Sequence, residues 1–119
     1  MSLTHITLLK RRPGMSKADF ITYYEACHAR IGEQVLAGYA TRYERRFLFP
    51  LDGEDNLHDP DVVMEIDFPD AATRDACFAA MAAPDIMAMI LADEEKLFDR
   101  SRNRSFWVEG HRSVLPPVG

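Results

Sequence analysis

Apolar and polar residues alternate with a period of two in four segments of the chain, and each such segment predicts a β-strand. These segments are residues 5–11, 39–49, 62–68 and 104–114. Residues 62–68 show the pattern most clearly, because Val62, Met64, Ile66 and Phe68 share one side and Glu65 and Asp67 take the other. A strand with one apolar side is typical of a sheet that is covered on one face.

Apolar residues recur every three or four positions in three further segments, which predict α-helices. The first runs over residues 17–36, the second over 71–82, and the third begins at Pro84. Ser16 and Asp70 stand at the N-cap positions of the first two, and Gly38 is placed to end the first. Pro84 suits the first turn of the third helix.

The predicted order is βαββαβ in a single domain of residues 1–119. This order predicts an α+β fold, a ferredoxin-like split βαβ sandwich whose four-stranded antiparallel sheet carries its helices on one face. The uncovered face would mix charged and large apolar groups and is therefore a candidate homodimer interface. Its expected members are His5, Thr7, Leu9, Arg42, Leu48, Val63, Glu65, Trp107 and Glu109.

Composition is that of an ordinary soluble globular protein, with 47% hydrophobic and 28% charged residues. The net charge of −5 argues against a nucleic-acid partner. No apolar run approaches the roughly 18 residues of a membrane span, and the first residues do not resemble a signal peptide. We therefore expect no membrane partner and a cytoplasmic location. Cys27 and Cys77 lack the spacing of a metal site or a disulfide framework, so we expect both to be reduced.

Residues 51–61 form a polar loop rich in aspartate, but no spacing in it matches a calcium loop or a zinc motif. We interpret it as a solvated connection and expect no metal. No glycine-rich loop follows a predicted strand, so we also expect no dinucleotide cofactor and, more generally, no cofactor. Arginines cluster in KRRPG, RYERR and RSRNR. These clusters are either solvated strand ends or guanidinium groups that steer a carboxylated ligand.

His28 is the candidate catalytic residue, because it lies on the apolar stripe of the first helix together with Tyr24. One interpretation is structural, a half-buried imidazole bonded to a carbonyl or a tyrosine. The other is a general acid or base at a cavity wall, with Tyr24 orienting it or donating a proton. The cavity would suit a small aromatic or lactone substrate, although the same aromatic residues could simply be core. Its expected substrate-binding walls are Phe20, Tyr43, Phe47, Met64 and Phe98.

Two segments resemble the EthD family of the dimeric α+β barrel superfamily. KRRPGMSKADFITYYEACHARI, residues 10–31, is similar to the family's opening pattern of a basic pair, Pro-Gly, a small cap, an aromatic residue, a tyrosine and a histidine. ADEEKLFDRSRNRSFWVEGH, residues 92–111, resembles its C-terminal pattern. The resemblance implies a barrel closed by the sheets of two copies, and it assigns His28 to the family's histidine position.

Three functional classes follow from this resemblance. The first is a cofactor-independent isomerase, lyase or cyclase in which His28 moves a proton next to a carbonyl. The second is a cofactor-free monooxygenase, or an accessory protein of an oxidative ether or aromatic degradation pathway of the P450 type. The third is a non-catalytic protein that binds a small ligand.

Overall fold

The computed structural model of the chain describes residues 2–119. Four strands and four α-helices follow one another, with a π-helical turn inside the first helical region. The strands are β1 (Leu3–Leu9), β2 (Arg42–Phe47), β3 (Val62–Phe68) and β4 (Arg104–Trp107). The helices are α1 (Lys17–Tyr23), α2 (Ala29–Leu36), α3 (Ala71–Met81) and α4 (Pro84–Leu97); the π turn spans Tyr24–His28, and a 3₁₀ turn spans Arg100–Arg102.

The strands form one antiparallel sheet in the order β2-β3-β1-β4. The helices pack against one face of this sheet, which confirms the predicted four-stranded ferredoxin-like arrangement. Val62, Ile66 and Phe68 of β3 point to the helices and are almost fully buried. The alternation of residues 62–68 therefore places the inner face of the sheet correctly.

The predicted helix boundaries depend on local caps that the structure contains. The Ser16 side chain accepts a hydrogen bond from the Asp19 backbone N–H at 3.1 Å, and Asp70 accepts one from Thr73 at 2.7 Å. Such caps satisfy backbone donors that have no partner within the helix. Gly38 follows the end of α2 with a φ of +86°, a conformation that favours glycine.

The first helical region is not one uninterrupted helix, as the sequence predicts, because Tyr24–His28 winds as a π turn. A π turn contains one extra residue, so the buried positions shift by one after Tyr24. The buried residues of this region are Phe20, Tyr24, Ala29 and Leu36. Ala29 thus takes the core position that an α-helical period assigns to His28, and His28 moves to the edge of the buried stripe.

The sequence assigns the wrong residues of β1 and β4 to the uncovered face of the sheet. The register pairs His5 with Trp107 and Ile6 with Phe106, and opposite residues of antiparallel strands share a face. His5 packs on Phe78 of α3, so His5, Thr7, Leu9 and Trp107 face the helices. Residues of β1 are apolar on both sides, so alternation alone does not fix which side is covered.

The uncovered face instead carries an apolar patch surrounded by charges. The patch consists of Ile6, Leu8, Val63 and Phe106. On β2 and β3 the same face carries the ion pairs of Arg42 with Asp67 at 2.8 Å and with Glu65 at 3.2 Å. Arg42, Val63 and Glu65 were predicted to lie here.

The last strand is shorter than predicted and ends at Trp107 rather than at residue 114. Beyond Trp107 the register leaves only Thr4 and Leu3 of β1, opposite Val108 and Glu109, so residues from 110 onwards have no strand to pair with. Residues 108–119 form an extended C-terminal arm without regular secondary structure, in which Val114, Leu115 and Val118 are at least 79% exposed. The radius of gyration is 15.9 Å, against roughly 13.5 Å for a compact chain of this length.

A buried carboxylate fixes the end of the sheet next to the KRRPG segment. Asp61 is 2% exposed and lies 2.7 Å from the Lys17 ammonium and 3.4 Å from that of Lys10. It also accepts a hydrogen bond from the Arg11 backbone N–H at 2.8 Å. The Arg11 guanidinium also lies 3.4 Å from Asp61, so Lys10 and Arg11 of the KRRPG cluster are engaged within the chain rather than solvated.

No single helix among residues 2–119 is long and apolar enough to cross a bilayer. Only α3 and α4 taken together reach the necessary length, and they are bent by 81°.

Candidate functional site

A cavity of about 280 Å³ lies between the inner face of the sheet and helices α2 and α4. His28 lines this cavity, and so do three of the five residues predicted as its walls: Tyr43, Met64 and Phe98. Most other lining residues are aliphatic, namely Leu9, Ile31, Val35, Leu36, Ile66, Met81 and Ile90. A small apolar cavity with few polar groups is typical of a site for a small organic molecule.

Phe20 and Phe47, the other two predicted walls, are not part of the cavity lining. They pack edge-on against each other, with ring centroids 6.1 Å apart, inside the core cluster below the site. Tyr24 also belongs to this cluster and is fully buried, and its ring meets that of His28 at 5.2 Å and 84°. Tyr24 therefore touches His28 through its ring, but the structure does not bring it to the cavity wall.

The hydroxyl of Tyr24 lies beside that of Tyr43 but makes no hydrogen bond of normal geometry among residues 2–119. Burial, followed by the influence of Tyr43, raises the pKa of Tyr24 far above its ordinary value. This hydroxyl consequently stays protonated, and it is neither bonded to His28 nor exposed to the cavity.

His28 is held by Asp93 of α4. The imidazole Nδ1 lies 2.8 Å from Asp93 Oδ2, and the two side chains are only 13% and 9% exposed. The Tyr23 hydroxyl donates a hydrogen bond to Asp93 Oδ1. Because of burial and this hydrogen bond, the pKa of Tyr23 is raised, so the hydroxyl remains a donor. Tyr23 and Asp93 together fix the position of the imidazole.

This arrangement selects one tautomer of His28. An ionised carboxylate only accepts hydrogen bonds, so Nδ1 of the ring must donate to it. The remaining ring nitrogen, Nε2, then carries the lone pair. A histidine whose orientation is fixed by a carboxylate, and whose second nitrogen is free, is equipped to accept a proton from a bound molecule.

Glu94 is the second titratable group on the cavity wall. Burial raises the pKa of Glu94, and the proximity of His28 opposes part of that rise. A carboxyl group with a raised pKa retains a proton closer to neutrality and is therefore suited to proton donation. His28 and Glu94 place two proton-transfer groups on one apolar cavity.

The sequence alone assigns no role to Tyr23, Asp93 or Glu94. For Asp93, however, the sequence contains a signal, which is its position on the apolar face of α4. On α4 the apolar positions Ile86, Ile90 and Leu97 define the face that packs inward. Asp93 falls three residues after Ile90 on this same face and is buried. A charged residue on a buried helical face requires a partner, and that requirement points to a functional or structural pair.

The remaining polar groups give no sign of a metal centre. Within residues 2–119 no group of three or more His, Cys, Asp or Glu side chains is placed to hold a metal ion. Both cysteines are free thiols.

In the RYERR cluster, Arg45 forms a bidentate ion pair with Glu25, whose carboxylate oxygens lie 3.0 Å from Nε and 2.5 Å from Nη2 of the guanidinium. Like Lys10 and Arg11, this arginine therefore forms an ion pair within the chain.

Comparison with known proteins supports the family resemblance. The model of the EthD domain matches residues 12–101. An EthD-family protein from Bacillus halodurans is similar in structure over 93% of this chain and 100% of its own, with 18% identity and a TM-score of 0.64. A dimeric ferredoxin-like protein of unknown function from Thermobifida fusca gives 14% identity and a TM-score of 0.61 over 91% and 90% of the two chains.

SnoaB, a cofactor-independent oxygenase from Streptomyces nogalater, is similar over 98% of each chain, with 14% identity and a TM-score of 0.54. At these identities the structural similarity establishes the fold alone. No curated protein matches the sequence.

Proposed function

This chain belongs to the EthD domain family, and from that premise we propose that it is a cofactor-independent isomerase, lyase or cyclase that transfers a proton within a small aromatic, lactone or polyketide-like molecule. The observation that carries the proposal is the position of His28, which is bonded to Asp93 on one side and faces an apolar cavity on the other. His28 Nε2 accepts the substrate proton, and Asp93 holds the ring in the required tautomer.

Glu94 supports an isomerase or a lyase over a simple binding protein. Moving a proton from one carbon to another, or eliminating a group, requires a base at one position and an acid at a second. Burial raises the pKa of Glu94, which makes this carboxyl a better proton donor, while His28 supplies the base. A protein that only binds a ligand has no need for two such groups on the wall of its cavity.

The test is hydrogen–deuterium exchange into enolisable compounds, because proton removal can be detected without knowing the final product. A panel of butenolides and aryl ketones is incubated with the protein in D₂O and followed by NMR. We expect His28→Gln to slow catalysed exchange roughly 10²–10⁴-fold, the usual contribution of a general base. His111→Gln is the matched control, because His111 is exposed on the C-terminal arm. Equal exchange rates in the wild type and His28→Gln would contradict the proposal.

A cofactor-free oxygenase is the second candidate, and the similarity to SnoaB favours it. The first step is the same, because His28 removes a proton and leaves a carbanion. The carbanion carbon bonds to O₂, and the proton held by His28 returns to the terminal peroxide oxygen to give a hydroperoxide. The carbon then loses its remaining hydrogen as the O–O bond breaks, so that water leaves and a carbonyl product remains. Oxygen consumption that depends on His28 identifies this candidate, and exchange without oxygen consumption excludes it.

We further propose that the protein is a cytoplasmic homodimer that pairs through the uncovered sheet face. The accessible surface of 7931 Å² exceeds the roughly 6,500 Å² expected for a folded monomer of this mass. The patch of Ile6, Leu8, Val63 and Phe106 and the exposed apolar side chains of the arm supply surface for a second copy. A twofold axis would bury the patch on both chains and bring the arginines of each near the carboxylates of the other.

Two adjacent residues on opposite faces test this interface. Phe106→Glu places a carboxylate in the apolar patch of the uncovered face, and we expect it to dissociate the dimer because the charge would be buried at the seam. An arginine stands beside both substituted positions, since the Arg104 guanidinium lies 5.3 Å from the Phe106 ring centroid, so the two variants differ in the face that they change. Trp107→Glu introduces the same charge on the helix side, where the Arg74 guanidinium lies 4.6 Å from the ring centroid, and we expect the dimer to persist. Light scattering coupled to size exclusion gives the mass of each variant. A monomeric wild type, or equal dissociation by both variants, would contradict pairing through this face.

A further inference from the structure

Tyr43 lines the cavity, and its phenol lies unusually close to helix α2. A Cβ atom added at Gly32 would lie 2.5 Å from Tyr43 Oη and 2.7 Å from Cζ. Real Cβ atoms do not approach heavy atoms this closely, so only glycine at position 32 leaves room for the phenol. The phenol of Tyr43 therefore rests on the backbone of α2.

The ring of Tyr43 is also fixed from its own strand. The Arg45 guanidinium lies 4.8 Å from the ring centroid, within the range of a cation–π contact. The bidentate pair with Glu25 anchors that guanidinium in turn. Tyr43 is thus held between a helix backbone and an anchored cation, and its hydroxyl has a defined position.

The Tyr43 hydroxyl is an uncommitted donor. Burial raises its pKa, against the opposing effects of Tyr24 and Arg45, so the proton stays on the oxygen. Thr7 and Ser105, the other hydroxyls on the cavity wall, bond to each other at 2.9 Å. Tyr43 makes no hydrogen bond of normal geometry within residues 2–119. The hydroxyl of Tyr24 lies beside it on the donor side and lowers the Tyr43 pKa, so the Tyr43 O–H itself remains available to a molecule in the cavity.

The position of this donor relative to His28 follows from the helix. Gly32 is four residues after His28, which corresponds to about 6 Å along a helix axis. Both His28 and Gly32 line the cavity, and the Tyr43 oxygen lies against Gly32. The base and the hydrogen-bond donor therefore meet the same cavity about one helical turn apart along α2, and one small carbonyl compound in that cavity can contact both.

We infer that Tyr43, positioned by Gly32, donates a hydrogen bond to the substrate oxygen on which negative charge develops when His28 removes a proton from the neighbouring carbon. The inference rests on the proposed function and names its substrate class, small carbonyl compounds with an acidic α-hydrogen. In this step the C–H bond breaks and the proton joins His28 Nε2. The C–H electron pair becomes the C=C bond of an enolate, and the carbonyl π electrons move to the oxygen that Tyr43 stabilises.

The experiment uses 2-tetralone as the enolisable ketone and 2-naphthol as the analogue of its enol. Deuterium exchange into 2-tetralone is measured by NMR, and 2-naphthol binding by fluorescence titration. We expect Tyr43→Phe to lower the maximal exchange rate about 10²–10³-fold, as loss of one oxyanion donor does, with little change in KM. We expect it to weaken 2-naphthol binding about tenfold. Tyr39→Phe, the matched tyrosine just before the same strand, should change neither.

Gly32→Ala tests whether the glycine positions the phenol. The added methyl group should displace Tyr43 and reproduce the loss caused by Tyr43→Phe, and the double variant should be no worse than either single one. Additive losses would show that Gly32 acts separately and would overturn its assigned role.

The inference and the proposed function fail in different ways. If His28→Gln abolishes exchange but Tyr43→Phe keeps it within twofold, the proposed function stands and the inference is overturned. If the wild type catalyses no exchange but binds 2-naphthol through Tyr43, the donor site stands and proton transfer is wrong. If 2-naphthol does not bind, or binds Tyr43→Phe equally well, the inference is overturned.

Discussion

Tyr24→Phe should stabilise the protein, although it changes a fully buried residue in the centre of the core. The ring of Tyr24 contacts Phe20, Phe47 and Phe98 at centroid distances between 5.5 and 5.8 Å, and phenylalanine preserves all three contacts. The hydroxyl contributes no hydrogen bond to any residue in the range 2–119. The Tyr43 hydroxyl lies beside it, but no hydrogen bond of normal geometry joins the two, so folding removes this hydroxyl from water without full compensation.

The magnitude follows from that uncompensated burial. A buried polar group without a partner costs roughly 1–3 kcal/mol, so we expect the free energy of unfolding to rise by about 1 kcal/mol or more. The entropy of unfolding is roughly 0.25 kcal/mol/K for a chain of 119 residues, so the melting temperature should rise by about 4 °C. His28 keeps its aromatic neighbour, so exchange activity should stay within twofold of the wild type.

Urea unfolding measures the change, provided that the m-value is the same for both proteins. Tyr23→Phe is the control, because it removes the same atom from the adjacent residue, whose hydroxyl donates to Asp93. Loss of that hydrogen bond to a charged group should cost roughly 1.5–3 kcal/mol. If Tyr24→Phe instead lowers the free energy of unfolding by 1 kcal/mol or more, its hydroxyl has a partner, such as an ordered water, and the reasoning is refuted.

Three further changes test other groups. Asp61→Asn should destabilise the fold by roughly 3–5 kcal/mol in urea unfolding, since it leaves the buried Lys10 ammonium without its carboxylate partner. Although burial opposes ionisation of Asp61, its bonds to Lys17 and Arg11 lower its pKa below the ordinary 3.8, so the penalty should be full at neutral pH and shrink only as pH falls below that value. Glu94→Gln should be more stable than the wild type above about pH 4.5 and should match it below that pH. A raised carboxyl pKa means that the folded wild type binds more protons than its unfolded state, so the wild type loses stability as pH rises. Parallel plots of unfolding free energy against pH for the two proteins from pH 4 to 8 would contradict this. Ser16→Ala should cost about 1 kcal/mol, the usual value of an N-cap, and an unchanged melting temperature would show that the cap contributes nothing.

The sequence predicts the fold well where local chemistry decides it. Ser16 and Asp70 cap their helices through bonds to residues three positions away, and Pro84 starts α4 in its first turn. These signals depend only on neighbouring residues. Together with the alternation of β3 they were sufficient for the element order and for the ferredoxin-like arrangement.

The prediction fails where partners distant in sequence decide the outcome. Leu9 and Leu8 are equally apolar, and only the pairing with β3 and β4 determines that Leu9 faces the helices. The pairing of His28 with Asp93 spans 65 positions along the chain. The sequence marked His28 as a candidate, but the carboxylate that orients it became visible only through the packing of α4 on the π turn.

The π turn at Tyr24–His28 separates the requirements of the core from those of the site. The core depends on Phe20, Tyr24, Ala29 and Leu36, whose spacing includes one extra residue after Tyr24. Genetically, such a turn is a one-codon insertion into a helix. Deleting one exposed residue of the turn, Ala26, would let the chain wind as an α-helix while Tyr24 and Ala29 kept their buried positions. A single-codon insertion or deletion can thus change which side chain meets the cavity without repacking the interior, which gives this helix a way to acquire new chemistry at small cost in stability.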